Sequence, residues 1–122
     1  MTRVRNFEDL EIWKIARDLV NDIYSDFRHC KDFVFRNQIT DAGLSTQNNI
    51  AEGFGRDSDK EFLYFLNVSK GSAAEVKSMY YIAEDRNYVT SEIAAKRRNK
   101  AQRLMNGIGL LRSYLLKCVK SK

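Results

Sequence analysis

A chain of 122 residues, 43% hydrophobic and 30% charged, has room for one continuous core and is read as a single domain spanning residues 1–122. No uninterrupted apolar run approaches the roughly 18 residues of a membrane span, and the basic start Met1–Asn6 leads to Glu8 and Asp9 rather than to an apolar segment. A transmembrane protein and a secretory leader are therefore not expected, and a cytoplasmic location is.

The absence of proline permits long helices. In the first segment Leu10, Trp13, Ala16, Val20, Ile23 and Phe27 recur at spacings of three and four, which predicts helix 1 over about residues 7–28. The stretch Arg28-His29-Cys30-Lys31-Asp32 interrupts it. Helix 2 carries Phe35, Ile39, Ala42, Thr46, Ile50 and Gly53 inward and is expected to stop at the pair Gly53 and Gly55, whose freedom to adopt left-handed conformations suits a chain leaving one helix for the next. Ser58-x-x-Glu61 has the pattern of a reciprocal N-terminal cap and opens helix 3, which runs to about Asp85 with Phe62, Phe65, Ser69, Ala73, Val76, Tyr80 and Ala83 inward. After Asp85-Arg86-Asn87-Tyr88, helix 4 starts near Thr90 or Ser91 and shows Ala101, Leu104, Ile108, Leu111 and Leu115 on one face. Short connections force neighbours to run antiparallel, so the expected fold is an all-α, up-and-down four-helix bundle. Small residues between Ser69 and Ala74, together with Gly107 and Gly109, suggest close helix contacts, because a glycine inside a helix costs about 1 kcal/mol relative to alanine.

Such a bundle puts Cys30 and Cys118 at opposite ends, roughly 30 Å or more apart, which excludes an intrachain bridge, fits reduced thiols and leaves an intermolecular bridge open. Enzymatic chemistry has little to draw on. The one histidine, His29, forms only half of the paired carboxylate-histidine pattern of di-iron bundles with Asp26, and neither cysteine has a neighbour at zinc spacing. Gly53-Phe54-Gly55-Arg56 lacks the lysine and hydroxyl of a phosphate loop. No metal, no cofactor and no catalytic residues are expected.

Charge is the more informative feature. Residues 90–122 hold nine Lys or Arg against Glu92 alone, while residues 1–89 are net acidic. Lys96, Lys100 and Arg103 share one helical edge, widened by Arg97 and Arg98, and a ridge of this kind suits either phosphate contact or plain solvation. Helix 2 adds a polar stripe of Gln38, Asp41, Ser45 and Glu52 beside Asn48 and Asn49, open to a subunit contact or to water, and Glu52 and Arg56 are spaced for an ion pair.

Phe7-x-Asp9-Leu10-x-x-Trp13-x-x-Ala16, Gln38, Ser45, the run Asn49-Ile50-Ala51-Glu52-Gly53-Phe54-Gly55-Arg56, and Glu61-Phe62-x-x-Phe65-Leu66 with Gly71-Ser72 and Glu75 resemble the bacterial four-helix-bundle proteins encoded in intervening sequences of large-subunit ribosomal RNA genes. That family is similar to the accessory protein of diversity-generating retroelements. The resemblance covers about residues 7–115 and implies a homopentamer with a positively charged surface, a role in binding RNA or DNA, and no catalysis. It also implies that Gln38, Ser45, Asn49, Glu52 and Arg56 belong to the family motif or its subunit contacts. Asp41 stands where relatives commonly carry Arg, leaving helix 4 to supply more of any nucleic-acid contact, and Gln47 replaces a frequent proline.

The leading expectation is thus a non-enzymatic oligomer that holds RNA or single-stranded DNA through Lys96, Arg97, Arg98, Lys100 and Arg103, with Tyr88 as a stacking surface. The rival is a scaffold whose partner is another protein, contacted through the helix 2 stripe and aromatics such as Tyr64 and Tyr81.

Overall fold

The structure is a computed structural model that describes residues 4–121, so Met1–Arg3 of the basic start fall outside the described residues. A 3-10 turn at Phe7–Asp9 precedes α1 (Glu11–Asp26), α2 (Phe33–Phe54), α3 (Asp59–Asp85) and α4 (Ser91–Lys120), with no strand among the described residues. Each helix packs on two neighbours, α1 on α2 and α4, and α3 on α2 and α4, as an antiparallel up-and-down bundle requires.

Helix 1 is shorter at both ends than its periodicity suggests. Leu10 is extended (φ −71°, ψ 129°) and separates the 3-10 turn from α1, while the Phe7 ring packs on Trp13 at 5.3 Å. Its fully buried edge is Ile12, Ile15, Ala16, Leu19, Val20 and Ile23, leaving Leu10 and Trp13 half-buried. The six inward positions expected of helix 2 are all buried. In α3 the core edge runs from Leu66 through Ser69, Ala73, Val76 and Tyr80 to Ala83, with Phe62 and Phe65 half-buried at its margin. A buried polar tie fixes α2 against α3: Ser69 Oγ donates to the Thr46 carbonyl at 2.8 Å, and Thr46 Oγ1 donates to the Gly43 carbonyl at 2.6 Å. Each buried hydroxyl is thereby satisfied, which removes a desolvation penalty of about 1–3 kcal/mol.

The helix starts follow from their caps. The Asp32 carboxylate accepts the Phe35 N–H, the Ser58 hydroxyl the Glu61 N–H, and the Thr90 hydroxyl the Ile93 N–H. The Ser58 cap differs from a fully reciprocal box in one respect: the Glu61 carboxylate accepts from the Ser58 hydroxyl at 3.1 Å. The expected left-handed glycines between α2 and α3 are absent. Among the described residues no glycine has a positive φ, Gly55 lies at φ −78°, and the left-handed position is Asn87 (φ 59°) after α3. Gly53 is demanded by proximity instead, since a Cβ there would lie 2.7 Å from Phe65 Cβ and 2.9 Å from Phe62 Cδ1. The two glycines of α4 part company: Gly107 lets Ile12 approach to 2.8 Å of where its Cβ would stand, whereas Gly109 has nothing within 4 Å.

Candidate nucleic-acid interface

The five cations expected to form one ridge on α4 point in three directions. Arg97 turns toward α1, where its Nε and Nη2 donate to the two carboxylate oxygens of Asp26 at 2.7 and 2.9 Å, with Asp22 3.6 Å from Nη1. Lys100 Nζ donates to Asp22 at 2.5 Å. Arg98 turns toward α3, donating to Glu84 at 2.8 Å and lying 4.1 Å from the centre of the Tyr81 ring. Lys96 and Arg103 remain exposed. Lys96 meets only Glu92 of its own helix, at 3.4 Å, and Arg103 has no carboxylate partner among the described residues.

The Arg97 group is a part-buried network whose donors are already engaged. Tyr80 of α3 reaches across the bundle and donates to Asp26 at 2.8 Å, so one carboxylate binds α1 to both α3 and α4. The hydrogen bonds to Asp26 hold the Arg97 guanidinium charged well above its ordinary range, and burial together with the adjacent Asp26 charge pushes the Tyr80 phenol far above its own. A bidentate pair in this setting has its donors committed and its charge cancelled. Sequence reasoning had no means to see this from α4 alone. The available signal was the pair Asp22 and Asp26, one turn apart on the flank of the α1 apolar edge, matched by Arg97 and Lys100 on the flank of α4.

The outward face of α4 carries a thinner basic line. Lys96 and Arg103 are seven residues apart and Lys117 lies fourteen further on, hence on one side of the helix at spacings of about 10 and about 20 Å, with Leu110 between the last two, and all three cations are exposed. No carboxylate from another helix pairs with them among the described residues.

The helix 2 motif residues are joined to α3. Gln38 Nε2 donates to Glu75 at 3.1 Å, the Ser45 and Ser72 hydroxyls meet at 2.8 Å, and Asn49 Nδ2 donates to the Ser45 carbonyl at 2.8 Å. Glu52 and Arg56 form the expected pair at 2.8 Å, and the Arg56 guanidinium covers the Phe65 ring at 4.8 Å. Asp41 stays exposed beside this ladder. Tyr88 donates to Asp32 at 2.6 Å and sets its ring edge-on to Phe35, so its faces are partly engaged in the turn.

His29 is exposed in the turn after α1, and Cys30 and Cys118 are half-buried free thiols at opposite ends of the bundle. Among the described residues no three His, Cys, Asp or Glu side chains are grouped to hold a metal, and no helix is long and apolar enough to cross a membrane.

The fold agrees with that of a solved structure, and the sequence with a known family. The sequence model described as 23S rRNA-intervening sequence protein matches residues 8–109. The chain belongs to the 23S rRNA-intervening sequence protein family. This intervening-sequence protein also shares its fold with a crystal structure of a protein of unknown function from the S23 ribosomal protein family of Bacteroides thetaiotaomicron. The two are 21% identical, with a TM-score of 0.77 over 83% of this chain and 97% of that one. No curated protein matches it.

Proposed function

We propose that this intervening-sequence protein is a non-enzymatic, self-associating protein that binds RNA or single-stranded DNA through phosphate contacts to the outward face of α4. The observation that carries the reading is the line Lys96, Arg103 and Lys117, exposed at helical repeats with no carboxylate from another helix among the described residues. The net charge of +5 and pI of about 9.3 favour a polyanion, and the family is named for intervening sequences of 23S ribosomal RNA. Arg97, Lys100 and Arg98 hold carboxylates of α1 and α3, so their part is to fix α4 in place.

Three free cations give a single chain a salt slope of only about −2 on single strands. Useful affinity then requires several copies whose basic lines add, which is why self-association belongs to the proposal. The test is binding of a labelled 30-nucleotide RNA across a salt series, with protein mass determined in the same buffer. An oligomer with a slope steeper than about −4 is expected, reduced by Lys96→Glu with Arg103→Glu. Absence of binding at low salt would sink the reading. It would leave the scaffold alternative, for which the exposed Tyr64 and Tyr81 and the helix 2 stripe are the available contacts.

A further inference from the structure

The groove between α1 and α2 has a volume of about 690 Å³, within the range of small-molecule sites. Arg28 and Arg36 line it and no carboxylate does. The acids nearest in sequence are engaged elsewhere. Asp22 and Asp26 hold Lys100 and Arg97 on the α4 side of α1, Asp32 caps α2 and accepts from Tyr88, and Asp41 lines the groove between α2 and α3. The two arginines are therefore uncompensated, with no carboxylate partner among the described residues. Arg36 is held in place without being neutralised: Nη1 donates to the Cys30 carbonyl at 3.4 Å, and the guanidinium lies 5.7 Å from the centre of the Phe33 ring.

Antiparallel packing sets both arginines at the turn end of the groove, Arg28 just after α1 and Arg36 in the first turn of α2. Beyond them the floor is apolar, made by the buried Ile23 and Phe27, and Tyr24, 54% exposed, offers a ring beside it. Asn21, Ser25, Asn37 and Thr40 complete the rim, and their side chains make no hydrogen bond among the described residues. Two planar guanidinium forks suit a phosphate, an aromatic ring over an apolar floor suits a base, and neutral donors and acceptors suit a sugar. Neighbouring grooves lack one part or another. The one between α3 and α4 holds Lys70 and Arg112 but no ring, and the one between α2 and α3 is lined by Asp41 and Glu75, which repel a phosphate.

We infer that the α1/α2 groove binds a nucleoside monophosphate, with its phosphate on Arg28 and Arg36, its base against Tyr24, and its sugar among the amides and hydroxyls of the rim. The unit is a free nucleotide or the 5′-phosphorylated end of an RNA strand, since both present a terminal phosphate next to an unstacked base. The site is built on α1 and α2, apart from Lys96, Arg103 and Lys117 of α4, and does not depend on the nucleic-acid reading of that helix.

Isothermal titration of the full chain with 5′-AMP tests it, with adenosine and inorganic phosphate as controls and far-UV circular dichroism as the check on folding. AMP is expected to bind at least tenfold more tightly than either control. The pair Arg28→Glu with Arg36→Glu is expected to weaken AMP at least tenfold. Arg28→Gln guards against misfolding, because this exposed side chain makes no hydrogen bond or ion pair among the described residues, and it is expected to weaken AMP with helicity intact. Tyr24→Ala is expected to weaken AMP and leave phosphate binding unchanged. Lys96→Glu with Arg103→Glu is expected to leave AMP binding unchanged, which separates this site from the α4 face. A short RNA bound at least tenfold more tightly with a 5′-phosphate than with a 5′-hydroxyl would assign the groove to strand ends, and equal binding of the two beside tight AMP binding would assign it to free nucleotides. Absence of AMP binding at millimolar concentration, phosphate bound as tightly as AMP, or an AMP affinity unchanged in the folded Arg28 variants would overturn the inference and spare the reading of α4.

Discussion

Replacing Arg97 with methionine keeps the volume of the side chain and removes its charge. The Asp26 side chain, 8% exposed, would then keep the Tyr80 hydroxyl as its donor but lose both guanidinium bonds and the neutralising charge. Breaking one half of a buried pair costs about 3–5 kcal/mol, because a desolvated carboxylate is left without its counter-charge. The exposed Lys96–Glu92 pair, with side chains 63% and 79% exposed, contributes under about 1 kcal/mol by the same accounting. For a domain of this size 1 kcal/mol moves the melting temperature by about 3–5 °C, so Arg97→Met should melt about 10–20 °C below wild type and Lys96→Ala within a few degrees of it. Thermal and urea unfolding followed at 222 nm, at one fixed protein concentration, provide the comparison. Coupling the change with Asp26→Leu should recover part of the loss, since an apolar pair costs little but leaves the Tyr80 hydroxyl without its acceptor, and adding Tyr80→Phe should recover more. A melting temperature for Arg97→Met equal to that of Lys96→Ala would refute the claim that this arginine is a structural pin.

Three further outcomes follow from the same geometry. Gly53→Ala should destabilise by about 1–3 kcal/mol in urea unfolding, because the clash with Phe65 and Phe62 outweighs the gain of about 1 kcal/mol in helix propensity. Tyr80, one of six tyrosines, has its phenol raised by burial and by Asp26; this contribution stands below the unfolded value near 10 and is lost only as pH rises through the higher folded value. Alkaline absorbance titration should therefore show Tyr80 ionising only with unfolding, and a Tyr80→Phe variant should lose that late step. The hydrogen bond from Tyr88, then the Phe35 N–H, hold the Asp32 carboxyl below 3.8, so its support of the α2 start is present above that value and fades as pH falls through the folded one. Tyr88→Phe should move the Asp32 carbon titration toward the ordinary aspartate range in NMR, and an unmoved titration would count against the cap geometry.

Local signals carried most of the architecture. The 3.6-residue period of α2 identified its buried positions from Phe35 to Gly53 except Gly43, and Ser58 and Thr90 marked helix starts because a cap is a matter of a few adjacent residues. On α1 the same local reading found Ala16, Val20, Ile23 and Phe27 but missed Ile12, Ile15 and Leu19, which fill the core while Leu10 and Trp13 are only half-buried against it. It also explained Gly53 by turn conformation when the reason was Phe62 and Phe65 on another helix. Charge was hardest to read, since a helical wheel places Arg97 and Lys100 beside Lys96 and Arg103 but says nothing of Asp22 and Asp26 more than seventy positions earlier. Long-range pairing depends on which flanks the packed helices bring together, and that is a property of the bundle rather than of any one segment.

The bond between Asp26 and Arg97 also bears on how sequences of this kind diverge. Loss of either residue alone strands the other, so substitutions at positions 26 and 97 are expected to be tolerated best when they occur together. A basic residue kept at position 97 in a relative would then reflect the demands of the fold. Selection for a ligand would leave its mark instead at positions such as Arg103, where substitution is free of any such debt to α1.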